Sequence, residues 1–260
     1  TMSRLTLNEL AHIARDMGGV FIPAHVFTPY KGVYGNCTDR LENIFDADIM
    51  EYIWAIELGL SADTYMACQV SELDGITFLS NSDAHSLPKM GREYNIMNLK
   101  ALNFRELVLA LKGDEGRGVV ENYGLDPKLG KYHRSFCLKC NGVIEGDPPV
   151  TECTLNKDHR IVMGVMDRLK IIADREADCR DTRPHYQYQV PLEFWPGVGP
   201  KTIDKLIGAV GTEMNILHRV AYEDMVSVVG EKTAGLITKA REGTLAMRHG
   251  GGGIYGKVKG

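Results

Sequence analysis

A chain of 260 residues with 44% hydrophobic composition can fill one large domain or two smaller ones, which excludes disorder throughout. No apolar run approaches the ~18 residues that cross a bilayer, and no basic-then-apolar leader opens the chain, so a soluble cytoplasmic protein without a membrane partner is expected. A net charge of -4 excludes a surface that binds phosphate everywhere; positive charge gathers instead near the end, where Lys239, Arg241, Arg248, Lys257 and Lys259 outnumber Glu242.

Thr6 with Glu9 predicts a capped helix, and Leu7, Leu10, Ile13, Ala14 and Met17 recur at helical spacing before Gly18 and Gly19 stop it. The apolar run Val20 to His25 follows as a short strand ending at a histidine. Ile53 to Ile56 leads in the same way to Glu57, and Ile76 to Leu79 leads through Ser80-Asn81-Ser82 to Asp83 and His85. Asn103 and Glu106 open another helix that runs through Lys112, ahead of a strand at Gly118-Val119-Val120. Apolar runs that end in polar residues and alternate with helices predict parallel strands covered by helices, with the chemistry at the strand ends. The predicted fold class is α/β.

The pattern stops at Asp126-Pro127. Residues 127–163 carry Cys, His, Pro and Gly in place of apolar positions and predict a metal-stapled segment. Cys137 and Cys140 form a C-x2-C pair, with Cys153 and His159 as candidate partners and His133 as an alternative. Residues 164–243 predict helices, the first from Val165 to Arg175, then a tyrosine-rich stretch between Pro184 and Pro191, then several short helices from Pro196 onward. Residues 244–260 form a basic tail whose glycines read either as a flexible strip along nucleic acid or as a disordered end. Six cysteines are too few for a disulfide scaffold, and Cys37, Cys68 and Cys179 are read as lone thiols.

Asp83 and His85, two apart after a buried strand, can reach one point, and His25 ends a second strand that could face the same mouth. Two imidazoles and a carboxylate suit zinc, manganese or iron and leave coordination positions open for water or substrate. A metal so held activates water against a phosphate. The plainer alternative is that Asp83 caps the next helix and His85 bonds to it. Glu57 could serve the metal directly, support its ligands, or make a structural ion pair.

Pro196-Gly197-Val198-Gly199-Pro200-Lys201-Thr202 has the form of the turn in a helix-hairpin-helix. Its glycines let the backbone approach a phosphate, and Lys201 adds charge. Val229-Gly230-Glu231-Lys232 repeats the form more weakly. Tyr186, Tyr188 and Trp195 read as packing residues before base-stacking ones.

With Ile22-Pro23-Ala24-His25, Ile56-Glu57-Leu58-Gly59-Leu60-Ser61, Ser80-Asn81-Ser82-Asp83-Ala84-His85, the cysteine segment, Pro191-Leu192-Glu193 with the hairpin, and Gly250 to Gly256, the chain resembles endonuclease Q, a family of the polymerase-and-histidinol-phosphatase (PHP) phosphoesterase superfamily. The resemblance covers essentially the whole chain. It implies a distorted (β/α)7 barrel, a zinc ribbon, and hydrolysis of DNA 5′ to deaminated bases (uracil, hypoxanthine, xanthine) and abasic sites. It further implies His25, Asp83 and His85 as metal ligands with Glu57 close by, so that Asp83, His85 and Glu57 are the expected catalytic residues. Zinc is expected in the ribbon and in the catalytic cluster, with magnesium or manganese as alternatives at the latter.

Gly197, Gly199, Lys201, Thr202, Lys232, Arg248 and Tyr255 are the expected DNA contacts. The family's barrel opens with a His-x-His strand and early acidic ligands that are absent here, and the chain starts at Thr1. The expected architecture is therefore residues 1–126 as the later part of a barrel, completed by an N-terminal portion of the same polypeptide. Replication or repair factors that bind it are not legible in the sequence. Two other functions fit parts of the pattern: a metal-dependent phosphatase of a small phosphorylated metabolite, and a non-catalytic DNA-binding scaffold.

Overall fold

A computed structural model describes residues 4–176 and 178–259, so Thr1 lies outside the described residues. Helix α1 (Leu7–Asp16) begins at a reciprocal cap: the Thr6 hydroxyl accepts the Glu9 N–H at 3.2 Å, and Glu9 accepts the Thr6 N–H at 2.7 Å. The chain after Gly19 forms no strand, contrary to expectation. Pro23 has no N–H to give a ladder. The segment is tied to its neighbour by the Glu57 N–H on Pro23 O at 2.9 Å and the Val26 N–H on Glu57 O at 3.0 Å.

Beyond the short helix α2 (Ala47–Met50), strand β1 (Ala55–Glu57), helix α3 (Thr64–Ala67) and strand β2 (Thr77–Leu79) alternate as predicted, and β1 and β2 pair in parallel. Strand β3 (Tyr94–Asn98), helix α4 (Phe104–Lys112) and strand β4 (Gly118–Leu125) follow. β3 runs antiparallel to β4, a departure from the all-parallel expectation. Asparagine side chains join this sheet to β2: the Asn122 amide donates to Phe78 O at 2.9 Å, and Asn95 Oδ1 accepts the Ser80 N–H at 2.9 Å. Asn103 caps α4 as predicted, but Glu106 turns away from the cap to Arg117.

The cysteine-rich segment is a small antiparallel sheet, β5 (Phe136–Cys137) between β6 (Gly142–Val143) and β7 (Ile161–Val162). Helix α5 (Val165–Ile172) is shorter than predicted and bolts the sheet to the barrel. Its fully buried Asp167 accepts the N–H groups of Ser135 and Val150 at 2.8 Å. The tyrosine-rich stretch is strand β8 (His185–Gln189), parallel to β4. Val165, Leu169, Ile172 and Tyr186 share one core with Ile56, Leu58 and Phe78. Cys68 and Cys179 are not lone thiols: they form a disulfide across 111 residues, a separation that gives no local signal.

The second core belongs to α6 (Pro200–Val210), α7 (Glu213–His218) and α8 (Tyr222–Arg241), with Trp195, Leu206, Ile216, Met225 and Ile237 buried together. The tail is not a loose strip. Strands β9 (Met247–Arg248) and β10 (Lys257–Val258) pair antiparallel, and the glycines between them arch over the ribbon. A Cβ on Gly250 would stand 2.3 Å from Gly130 O, and one on Gly252, whose φ is +61°, would stand 2.4 Å from the Phe136 ring. These glycines serve close packing rather than disorder.

The sheets stay open among the described residues. The architecture is an α/β fold whose open sheets fit the incomplete barrel that the resemblance implies, followed by a cysteine-rich ribbon and a helical region.

Candidate active site and metal centres

Glu57, at the end of β1, is buried, and its carboxylate accepts the backbone N–H of His25 and, at 2.7 Å, that of Gly59. Burial pushes its pKa up, while those N–H bonds pull it down. Glu57 thus reaches the site through the backbone of His25. His25 itself has φ +35° and Asp83 φ +43°, a left-handed conformation uncommon for residues with a Cβ and concentrated at functional loops.

His25, Asp83 and His85 line one cavity of about 540 Å³, joined by Tyr30, Lys31, Gly59, Ser61, Lys89, Lys131 and Tyr255. The structure therefore brings the sequence-predicted ligands to one place, although their donor atoms do not all fall within 4.8 Å of one another. Two features suit them to a metal. His25 Nδ1 is buried without a hydrogen-bond partner. His85 Nδ1 lies 2.7 Å from the carbonyl oxygen of Asp83. A carbonyl can only accept, so the contact calls for a proton on Nδ1, and in the neutral ring Nε2 is then the nitrogen left for a ligand.

In the ribbon, Cys137, Cys140, Cys153 and His159 converge. His159 Nδ1 lies 3.6, 3.4 and 3.6 Å from the three sulfurs, and the sulfurs of Cys140 and Cys153 are 3.7 Å apart. Those are the edges of a tetrahedron with metal–sulfur bonds of about 2.3 Å and a metal–nitrogen bond of about 2.1 Å. The Cys140 N–H donates to Cys137 Sγ at 3.3 Å and closes the turn. The alternative partner, His133, is buried elsewhere, with Nδ1 on Ser61 O and its ring against His249. A further surface group is held by other contacts: Asp48 pairs with Arg15, which also bonds His12 Nδ1, and His12 Nε2 lies 3.1 Å from Asp46.

The expected DNA contacts occupy two regions. Gly197 has φ +78°, Gly199 caps α6, and Lys201 is exposed at its start, although a single 3-10 turn (Leu192–Phe194) takes the place of a first helix. At Gly230 the backbone leaves helical geometry inside α8, so exposed Lys232 sits at the start of a new helical segment. Exposed Arg248 lies on β9, whereas the arch delivers Tyr255 to the rim of the cavity. Trp195 and Tyr186 are packing residues, bonded to Val190 O and Leu125 O. Sequence reasoning missed Lys89 and Lys131, because isolated lysines in loops carry no pattern.

No family model matches the chain. It is 51% identical over 249 residues to the uncharacterized protein YqxK of Bacillus subtilis, covering 94% of this chain and 62% of that protein. It is 32% identical over 251 residues to the uncharacterized protein MJ0043 of Methanocaldococcus jannaschii, covering 89% and 31% respectively. Among solved structures, the lesion-specific endonuclease PfuEndoQ from Pyrococcus furiosus superposes with a TM-score of 0.79 at 32% identity, over 98% of this chain and 66% of that one. Endonuclease Q in complex with a 27-mer duplex substrate, with an abasic lesion at the active site, gives a TM-score of 0.80 at 32% identity, over 98% and 67%. The chain belongs to the endonuclease Q family. It spans about two thirds of the solved endonuclease Q chains and 62% of YqxK.

Proposed function

We propose that this chain is the part of a DNA repair endonuclease that holds metal ligands, ribbon and DNA grip, and that the enzyme cuts the phosphodiester 5′ to deaminated bases and abasic sites. The single observation that carries the reading is the cavity in which His25, Asp83 and His85 face a rim built by the tail residue Tyr255 with Lys89 and Lys131. Chemistry and DNA grip meet there. Both the family and the abasic duplex in its solved member support DNA as the substrate.

His25, Asp83 and His85 are the metal ligands, with zinc, or else magnesium or manganese, as the ion. A bound metal of this kind lowers the pKa of a water molecule and offsets charge that builds on the phosphate. Asp83 O fixes the tautomer of His85, and Glu57 fixes the backbone of His25 and Gly59. An N-terminal portion of the same polypeptide completes the ligand set. In the ribbon, zinc is the ion that fits three thiolates and an imidazole, and its role is folding energy for a segment with a four-residue core.

Gly197, Gly199, Lys201 and Thr202 offer the N-terminus of α6 to a phosphate, and Lys232 and Arg248 add charge. Such contacts set register without reading bases. Deaminated and abasic positions are unstacked at lower cost than intact pairs, which favours them. The location proposed is the cytoplasm.

The test compares a uracil-containing duplex with a generic phosphomonoester. Metal-dependent incision on the 5′ side, leaving 3′-hydroxyl and 5′-phosphate ends, is expected. Turnover of the monoester alone would favour a metabolite phosphatase, and DNA binding without incision by the complete polypeptide would favour a scaffold.

A further inference from the structure

We propose that Lys89 and Lys131 form a two-pronged phosphate clamp at the cavity mouth, held in place by the ring of Tyr255, and that it grips the DNA backbone beside the bond to be cut. This rests on the nuclease reading of the cavity. Lys89 ends the turn Leu87–Lys89, four residues after His85, and Lys131 follows the turn Pro127–Leu129. Their ammonium groups lie 5.4 and 4.6 Å from the centroid of Tyr255. An aromatic face attracts a cation, so the ring limits the wandering of two long side chains.

The ring is itself fixed. Phe194 packs edge-on against it at 5.2 Å. The arch straps it to the loop that carries Lys131: the Gly253 N–H donates to Lys131 O at 3.0 Å and the Gly256 N–H to Leu129 O at 2.9 Å. A tail with few apolar residues thereby delivers one aromatic ring to the place where two lysines from separate loops need a common support.

Neither charge is fully used up internally. Lys131 has no carboxylate within 4.0 Å among the described residues, and the nearest to Lys89 is Glu193 at 3.9 Å. That Glu193 oxygen already accepts Arg92 at 2.8 Å. Asp83 is the one carboxylate among the residues lining the cavity, which also include Lys31. A neutral or cationic ligand would leave the paired ammonium groups without a role. A polyanionic strand uses both, and the grip falls beside His25, Asp83 and His85 in the same cavity.

Binding of the full chain to a lesion-bearing duplex, followed by fluorescence anisotropy across a salt series in an Asp83→Asn background that holds turnover off, tests the clamp. Lys131→Ala and Lys89→Ala should each flatten the slope of log K against log salt by about 0.9 and cost about fivefold in affinity at ~0.15 M salt, the signature of one lost phosphate contact. Lys131→Arg should restore the slope. Tyr255→Leu should weaken binding where Tyr255→Phe rescues it, because the ring and not the hydroxyl supports the lysines.

Lys170→Ala, on the exposed face of α5, serves as the control for generic loss of charge. Single neutral methylphosphonates leave the protein untouched: next to the scissile bond they should weaken the chain with Lys131 but add no further loss to Lys131→Ala. Unchanged slopes in both alanine variants, Tyr255→Phe as weak as Tyr255→Leu, or additive methylphosphonate losses would overturn the clamp. A chain with wild-type clamp residues that binds no DNA at any salt would instead sink the nuclease reading on which it rests.

Discussion

Gly59→Ala separates fold from site. Gly59 has φ +75°, and a Cβ there would lie 3.1 Å from His25 Cβ and 3.3 Å from both His25 Cα and Thr28 Oγ1. Left-handed backbone costs a residue with a Cβ about 1–2 kcal/mol, so the variant should lose roughly that much stability in urea. The crowding acts on something else. His25 must give way by a few tenths of an ångström, and since a misplacement of about 1 Å costs on the order of a hundredfold in rate, incision should fall about tenfold.

Gly75→Ala and Gly113→Ala supply the control. Their φ values are +78° and +73°, and a Cβ at either meets nothing within 4 Å. They should show the same loss of stability with unchanged incision. The assay pairs urea midpoints with single-turnover cutting of a uracil duplex. If Gly59→Ala cuts at the rate of Gly75→Ala, the backbone of Gly59 does not set the position of His25, and the proposed route from Glu57 through His25 to the metal is wrong.

Chelation or Cys153→Ala should release one zinc per chain from the ribbon and open amides of residues 136–162 to hydrogen exchange; metal release with unchanged protection would refute a folding role. His133 is held down to about 4 by burial, with the Ser61 carbonyl opposing. Its folded pKa lies below the unfolded ~6.5, so its contribution is complete above ~6.5 and drains away as pH falls toward about 4, up to about 3 kcal/mol. His133→Gln should flatten the acid limb of stability against pH, and an unaltered limb would show that the ring titrates freely. Closing a loop of 111 residues should make the Cys68–Cys179 disulfide worth about 5 kcal/mol in the chain-entropy account, read as a lower urea midpoint for the double serine variant. An unchanged midpoint would contradict that account.

Local signals survived into the structure where the chemistry itself is local. Thr6 and Glu9 needed only each other to start α1, Asn103 needed only α4, and the ribbon ligands were legible because a thiolate cluster has one strong use. The three residues that line the cavity, His25, Asp83 and His85, were legible as residue types at the ends of apolar runs. What depended on distant partners was hidden. The disulfide, the asparagine links between sheets, and the seat of Asp167 against Ser135 and Val150 leave no spacing behind.

Strand β3 was missed because Tyr94-Asn95-Ile96-Met97-Asn98 mixes polar and apolar residues to serve a neighbouring strand and the Ser80 loop at once. Strand β8 was missed because its tyrosines were weighed one by one, as packing residues before stacking ones, and not as a period of two, although Tyr186 and Tyr188 share a face. The terminal glycines read as a flexible strip or a disordered end for a similar reason: a residue chosen for the absence of a side chain gives no sign of the Phe136 ring that requires it.

The central claim is that one cation is held by side chains from two loops of this chain. Anomalous diffraction at the zinc edge from crystals of the complete polypeptide saturated with zinc tests it most directly. The account predicts a peak bounded by His25, Asp83 and His85 in addition to the one in the ribbon; a ribbon peak alone, with His25 Nδ1 still unpartnered under saturating metal, would contradict it.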